Sequence, residues 1–181
     1  LDLLNDEVIR FENLVQDLLD LSRSDSGPMQ NDLVNIEELV RATLASSEAT
    51  TSFEVSPNAQ GALVMGDKRR LAQVLDNLLR NAEKYGDGPT RITVSSAGKN
   101  IEIGVEDSGP GVAPSERELI FERFTRGAAA RKRGAGDGAG LGLALVDEHA
   151  RRHGGTARVE GKPDGDSGAR FVVTLPKAGR R

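Results

Sequence analysis

The sequence predicts an α+β fold, a two-layer α/β sandwich in which a mixed sheet carries helices on one face. Two observations lead to this class. Segments with the apolar spacing of helices alternate loosely with short segments of alternating apolar and polar residues. Several predicted strands also follow one another with room only for a turn, so they can pair directly without an intervening helix.

The composition is that of a folded domain with a charged surface. The 181 residues are 37% hydrophobic and 29% charged, which is enough to bury a core and remain soluble. The net charge of -4 argues against a general nucleic-acid binder, and the absence of cysteine excludes disulfides and thiolate metal sites. Without a signal peptide or membrane-spanning run, the sequence predicts a cytoplasmic domain. Because it begins with Leu1 and not Met, we expect a piece of a longer protein, whose membrane anchor lies outside it.

The first 24 residues have the pattern of a bundle helix. Apolar residues recur there with 3-4 spacing, at Leu1, Leu4, Val8, Phe11, Val15 and Leu18. The polar residues 25–34 contain Gly-Pro and predict a linker, so we expect the apolar stripe to pack on a partner chain; the alternative is packing on its own domain. The predicted organisation is a helix at 1–24, the linker, a domain at 35–177 and a tail at 178–181.

Within the domain, capping residues mark the helices. Asn35 precedes Glu38 by three residues, as in a capping box, and Asp67 predicts the cap of a strongly periodic helix. Further helices are expected at 116–120 and 141–153, and the Gly-rich residues 127–140 predict a mobile loop. The predicted strands are residues 51–55, 62–65, 91–95, 101–105, 156–160 and 169–175.

The stretch NLLRNAEKYG carries the first chemical signal. Asn77 and Asn81 lie one turn apart on one helix face, although asparagine is a poor helix former. Two amide oxygens so placed can hold a hard cation such as Mg²⁺. Lys84 adds a positive charge and Tyr85 an aromatic face. The alternative is a solvated helix face that happens to carry two amides.

Two glycine-containing stretches carry further signals. In VEDSGPGV, Asp107 ends a strand before Gly109 and Gly111, where a fixed carboxylate can accept a hydrogen bond from an exocyclic amine and glycines allow close approach of a flat ligand; the alternative is an ordinary turn. In GAGLGLALV, alternate glycines run into a helix start, where free backbone N–H groups form an anion site. The glycine stretch follows no strand of a βαβ unit, so it does not predict a dinucleotide fold.

The stretch IFERFTRG precedes the predicted loop. Phe121 and Phe124 are expected to anchor that loop to the core, while Arg123 and Arg126 could reach phosphates. The basic residues 131–133 are better explained as a solvated flexible loop.

In this order, the four stretches NLLRNAEKY, DSGPG, FERF and GAGLGL resemble the ATP-binding domain of sensor histidine kinases of two-component systems. The resemblance extends from about Asn35 to Pro176, and residues 1–24 are similar to part of the second helix of that family's dimerisation and phosphotransfer bundle. It implies the Bergerat-type ATP-binding fold, which gyrase, heat-shock-ninety chaperones and mismatch-repair ATPases share.

The resemblance also implies ligands and partners. ATP and Mg²⁺ would be the cofactors, with the metal at Asn81 and, assisting, Asn77. The nucleotide would contact Lys84, Tyr85, Asp107, Gly109, Gly111, Phe124, Arg126, Gly138, Gly140, Leu141 and Gly142. The γ-phosphoryl group would pass to a histidine on the bundle of a homodimer, and then to the receiver domain of a response regulator. The full-length protein would be anchored in the cell membrane.

Two features of the sequence refine this reading. In the related ATP-hydrolysing clamps a glutamate at the position of Asn77 is the general base, and an amide cannot accept that proton. The only histidines, His149 and His153, lie in or just after the last helix and lack the context of a phosphoacceptor. We therefore expect this chain to bind ATP without phosphorylating itself. The alternatives are an anti-sigma-type serine kinase and a non-catalytic nucleotide-binding dimerisation module.

Overall fold

The computed structural model describes Val8, Val15 and residues 28–46, 51–125 and 140–179. Val8 and Val15 are both helical and exposed, while the rest of the predicted N-terminal helix and residues 25–27 of the predicted linker lie outside the described residues. The division of the chain into helix, linker, domain and tail stays a prediction.

The described residues form three helices and seven strands, apart from single 3-10 turns. The helices are α1 (Ile36–Ala45), α2 (Lys68–Tyr85) and α3 (Gly142–Arg152). The strands are β1 (Asp32–Asn35), β2 (Ser52–Val55), β3 (Leu63–Gly66), β4 (Pro89–Ala97), β5 (Asn100–Asp107), β6 (Thr156–Gly161) and β7 (Ala169–Pro176).

Five of the strands form one mixed sheet in the order β2-β4-β5-β7-β6. Only the β2–β4 pair of this sheet is parallel, and the other three pairs are antiparallel. This arrangement confirms the predicted α+β class, because chain-adjacent strands such as β4 and β5 pair through a tight turn. Strands β1 and β3 form a separate antiparallel pair.

The two faces of the sheet differ in chemistry. Alternate residues of β5, Ile101, Ile103 and Val105, join the apolar cluster that also contains the buried side of α2. On the opposite face, Glu102 pairs with Arg158 of β6 at 3.0 Å. The period of two in a strand therefore separates a helix-covered core from a charged outer face.

Helix α2 has the cap and the apolar stripe expected of it. Asp67 Oδ1 accepts hydrogen bonds from the backbone N–H groups of Arg69 (3.0 Å) and Arg70 (3.3 Å), which satisfies two of the free donors at the helix start. Its buried apolar residues are Leu71, Val74, Leu75, Leu78, Leu79 and Ala82. The stripe fixes which side of α2 faces the sheet, so the opposite edge is free for polar groups.

Two of the predicted elements differ from the structure. Strand β1 begins within the predicted linker and extends to Asn35; it was missed because its four residues show little alternation and need β3 as a partner. The helix predicted at 116–120 is replaced by two single 3-10 turns, Pro114–Glu116 and Leu119–Phe121. These short turns let the adjacent residues Ile120 and Phe121 both pack on the core.

Phe124 does not anchor the following segment to the core. Its side chain is 66% exposed, whereas Phe121 packs on the apolar cluster as expected. Within the part of the chain that the structure describes, no helix has both the length and the apolar character that a bilayer crossing requires.

Candidate nucleotide-binding site

Helix α2 carries four of the predicted site residues on one edge. Asn77, Asn81, Lys84 and Tyr85 are spaced at i, i+4, i+7 and i+8, which places them along a single stripe of the helix. Asn81, Lys84 and Tyr85 are half-buried, and the Lys84 ammonium lies 5.8 Å from the centre of the Tyr85 ring. The stripe thus combines two amides, a cation and an aromatic face along little more than two turns of the helix.

Asn77 is the most buried member of this stripe, with 9% of its surface exposed. Its Oδ1 accepts a hydrogen bond of 3.4 Å from the Arg80 guanidinium, whereas its buried Nδ2 has no hydrogen-bond partner among the described residues. Burying an unsatisfied amide is costly. The amide is therefore a polar group that a bound ligand can satisfy.

The start of α3 lies beside Asn77. A Cβ added at Gly142, the first residue of α3, would lie 3.3 Å from Asn77 Oδ1. The preceding residue, Leu141, is fully buried and has no polar side chain with which to cap the helix. The first backbone N–H groups of α3 are then donors next to the amide stripe of α2, a geometry suited to an anion.

Asp107 ends β5 close to the end of α2, and only 4% of its surface is exposed. Its Oδ1 accepts hydrogen bonds from the backbone N–H groups of Gly109 (3.0 Å) and Ala169 (2.9 Å). Burial raises the pKa of this carboxyl, and the two hydrogen bonds and the charge of Lys162 oppose that rise without cancelling it. The carboxyl group is therefore held in one orientation in a sheltered place.

Two glycines allow the backbone to close around Asp107. A Cβ added at Gly86, the residue that ends α2, would lie 2.7 Å from Asp107 Oδ2. A Cβ at Gly109 would lie 2.8 Å from the carbonyl oxygen of Tyr85. Gly111 has a φ of 74° and lies against the carbonyl oxygen of Gly168, a conformation that favours glycine. The predicted DSGPG turn is thus packed directly on the end of α2.

A hydrogen bond joins the two ends of the segment that contains the predicted loop. The backbone N–H of Phe124 donates to the carbonyl oxygen of Gly140 at 3.0 Å, and both residues have a positive φ. Arg126 and Gly138, which the sequence analysis assigned to the nucleotide, lie outside the described residues. The remaining predicted residues therefore fall into an α2 stripe, an Asp107 turn and the start of α3.

The structure adds residues that the sequence analysis did not assign to the site. Gly86 touches the Asp107 side chain, Ala169 donates to it, and Ser167 Oγ donates to the carbonyl oxygen of Gly109 at 2.9 Å. Gly86 offers a sequence signal, since it directly follows the helix that carries the asparagines. Ser167 and Ala169 offer none, because their contacts with Gly109 and Asp107 depend on the pairing of β5 with β7.

This arrangement fits a ligand with a flat, amine-bearing part and an anionic part. The Asp107 turn offers a carboxylate and close backbone approach at one end, and the start of α3 offers backbone N–H donors near the amides at the other. Two amides one turn apart offer oxygen atoms of the kind that Mg²⁺ coordinates together with phosphates. The unsatisfied Asn77 Nδ2 and the glycine-lined carboxyl are observations of the chain itself that suit such a ligand.

Residues 66–179 match the sequence profile of the family described as histidine kinase-, DNA gyrase B- and HSP90-like ATPase. The chain belongs to this family. Among curated relatives it is 37% identical over 179 residues to the sensor-like histidine kinase SenX3 of Mycobacterium tuberculosis (strain ATCC 25618 / H37Rv). That alignment covers 94% of this chain and 43% of SenX3, so the chain spans less than half the length of this relative.

Solved structures agree in fold. Full-length ShkA in complex with AMPPNP superimposes with a TM-score of 0.71 at 30% identity, over 97% of this chain and 37% of that one. The mycobacterial sensor histidine kinase MprB gives a TM-score of 0.64 at 28% identity, over 83% of this chain and 99% of that one. Within its family, the chain is thus a sensor histidine kinase catalytic domain of the ATP-binding type.

Proposed function

We propose that this chain binds ATP with Mg²⁺ and directs the γ-phosphoryl group to a histidine on a dimerisation bundle, for relay to the receiver domain of a response regulator. The observation that carries the proposal is the convergence of the α2 stripe, Asp107 and the start of α3 on one site. The similar protein ShkA was solved with AMPPNP, an ATP analogue, and this supports ATP as the nucleotide.

Each part of the site would have a separate task. Asp107 would accept a hydrogen bond from the exocyclic amine of adenine, and Gly109 and Gly111 would admit the base edge-on. Tyr85 would line the nucleotide, while Lys84 and the N–H groups that follow Leu141 would hold the phosphates. Phe124, Arg126, Gly138 and Gly140 would contribute from the segment after the second 3-10 turn.

Asn81, with Asn77, would hold the metal. When bound, Mg²⁺ would neutralise part of the charge of the phosphates. Asn77 is an amide and cannot take a proton from water, so this site positions ATP without a general base for hydrolysis at that residue. Such a site favours transfer to an acceptor that brings its own nucleophile.

The acceptor would lie outside the described domain. The chain has two histidines, and they are 0% and 5% exposed at His149 and His153. His149 Nε2–H donates to the Gln73 side-chain oxygen at 3.2 Å, in the seam between α2 and α3. Neither imidazole is accessible to a phosphoryl donor in the folded domain. We also propose that the full-length protein forms a homodimeric bundle, passes the phosphoryl group to a response regulator and is anchored in the membrane.

A phosphotransfer assay with γ-labelled ATP and Mg²⁺ tests the proposal. Three samples would be compared. They are the chain alone, the chain mixed with a polypeptide that carries the histidine-bearing bundle of the same protein, and the Asn81→Ala variant mixed with that polypeptide. We expect acid-labile, alkali-stable label on the added bundle only, and its loss in the variant. Label on serine would favour the anti-sigma type of kinase, tight ATP binding without any label would favour a non-catalytic module, and label on His149 or His153 would contradict the proposed acceptor.

A further inference from the structure

The turn between β6 and β7, residues 162–168, packs on the Asp107 loop. Ser167 Oγ donates a hydrogen bond of 2.9 Å to the carbonyl oxygen of Gly109, and the N–H of Ala169, just after the turn, donates to Asp107 Oδ1. Within the turn, Gly165 N–H donates to the carbonyl oxygen of Lys162 at 3.1 Å. The turn is therefore an ordered segment with direct contacts to the base-binding end of the site.

Gly168 brings the turn this close. Its φ of 130° favours glycine, and a Cβ added there would overlap the carbonyl oxygen of Asp107. The same Cβ would lie 2.9 Å from Lys162 Cδ. The aliphatic stem of Lys162 thus lies across Gly168, next to the backbone of Asp107.

The charges that face Asp107 come from two elements. Burial raises the pKa of Asp107, while Lys162 lowers it from the β6–β7 turn and Asp87 raises it from the turn after α2. Glu106 precedes Asp107 on β5 but points to the other face of the sheet, where it pairs with Arg170 at 3.4 Å. Asp164 and Asp166 are exposed on the outer part of the turn. Among the described residues that act on Asp107, Lys162 is a cation that favours the ionised carboxylate.

We propose that the β6–β7 turn is a positioning element for the base-recognising carboxylate, in which Ser167 holds the Asp107 loop in place and Lys162, packed across Gly168, supplies a cation that acts on Asp107. This inference rests on the proposed function, since it assumes that Asp107 contacts the base. Lys162 and Ser167 act through Asp107 and do not themselves need to touch the nucleotide.

The charge state of Asp107 decides which purine it accepts. An ionised carboxylate accepts a hydrogen bond from the exocyclic amine of adenine and repels the carbonyl oxygen that guanine presents at the same ring position. A protonated carboxyl can donate to that carbonyl oxygen. By favouring the ionised form, Lys162 would maintain the preference for adenine as the pH falls.

The test measures equilibrium binding of ADP and GDP between pH 4.5 and 8. The four proteins are the unchanged chain, Lys162→Gln, Lys162→Arg and the control Lys99→Gln. Lys99 is exposed in the turn between β4 and β5, at the opposite end of β5 from Asp107, so its substitution makes the same charge change at a distance. We expect Lys162→Gln to lose its ADP preference at a higher pH than the unchanged chain does. Lys162→Arg and Lys99→Gln should follow the unchanged chain.

Ser167→Ala tests the second half of the proposal. Loss of one hydrogen bond should weaken ADP binding by about three- to tenfold at every pH, without moving the pH at which the ADP preference is lost. A Lys162→Gln profile that superimposes on that of Lys99→Gln would overturn the role of Lys162. Unchanged ADP affinity in Ser167→Ala would overturn the role of Ser167. If Asp107→Asn bound ADP like the unchanged chain, the proposed base contact itself would fail, and this inference with it.

Discussion

The imidazole of His153 joins the end of α3 to the start of α2, across 86 residues of sequence. Its Nε2 accepts a hydrogen bond of 3.0 Å from the backbone N–H of Asp67, and its Nδ1–H donates to the carbonyl oxygen of His149 at 2.7 Å. The second contact places the ring of His153 at the C-terminal end of α3, where its N–H satisfies one of the last carbonyl groups of the helix. The first contact uses the ring to hold together the two helices that carry the site.

Replacing His153 with alanine should destabilise the domain. The change leaves the buried N–H of Asp67 without its acceptor. It also opens a cavity beside Gly66, which packs against the imidazole ring. We expect a loss of about 2–4 kcal/mol in the free energy of unfolding, measured by urea denaturation. Arg151→Ala is the control, because that side chain is 74% exposed and its ion pair with Asp147 should contribute less than about 1 kcal/mol. Equal effects of the two substitutions would contradict the structural role of His153.

His149 should make the folded state sensitive to mild acid. Burial, together with the nearby Arg70 guanidinium, lowers its pKa from 6.5 to about 4. The unfolded chain therefore binds a proton at His149 below pH 6.5, whereas the folded chain does so only near pH 4. The free energy of unfolding should fall as the pH drops from 6.5 to 4, by an amount on the order of 3 kcal/mol from this residue.

Urea denaturation at pH 7, 6, 5 and 4 measures this effect. Asp107 and Asp76, whose pKa values are raised mainly by burial, act in the opposite direction because the folded state then binds the proton more readily. The informative quantity is therefore the difference between the unchanged chain and His149→Gln, which cannot titrate. That difference should shrink as the pH falls from 6.5 to 4. A constant difference would mean that His149 is not held neutral by the fold.

Gly86→Ala should weaken nucleotide binding through Asp107. The added Cβ would lie within 2.7 Å of Asp107 Oδ2, so the carboxyl must move from the position that its backbone donors define. We expect at least a tenfold loss of ADP affinity and a fall of about 1–3 kcal/mol in the free energy of unfolding, measured by calorimetry and denaturation. Gly179→Ala, where the Cβ would meet no atom within 4 Å, is the matched control. Unaltered ADP affinity in Gly86→Ala would show that nucleotide binding does not depend on the position of the Asp107 carboxyl group.

Asn35 should contribute to stability as the cap of α1. Its Oδ1 accepts a hydrogen bond of 3.2 Å from the backbone N–H of Glu38, and its Nδ2 donates to the Glu38 carboxylate at 3.3 Å. Asn35→Ala should cost about 1 kcal/mol in urea denaturation, and Asn35→Ser, which keeps an acceptor oxygen, should recover most of that loss. If serine were no better than alanine, the cap would not be the source of the effect.

Much of this architecture could be read from local signals. The capping residues Asn35 and Asp67, the apolar stripe of α2 and the alternating strands on either side of the Lys99 turn are each expressed within a few residues, because helix and strand periods act over one or two turns of chain. The stripe of Asn77, Asn81, Lys84 and Tyr85 was predictable for the same reason. Strand β1 and the 3-10 turns were not, since their form depends on distant partners.

The sequence by itself determined the α+β class, the capped helices, the amide stripe and the resemblance that indicates ATP, since these depend on residue type and short-range spacing. Only the tertiary structure decided that Ala169 and Ser167 hold the Asp107 loop, that Gly142 lies beside Asn77, and that both histidines are buried in or beside the α2–α3 seam. These contacts join residues tens of positions apart. They arise from strand order and from helix packing over a shared core, which no local period encodes.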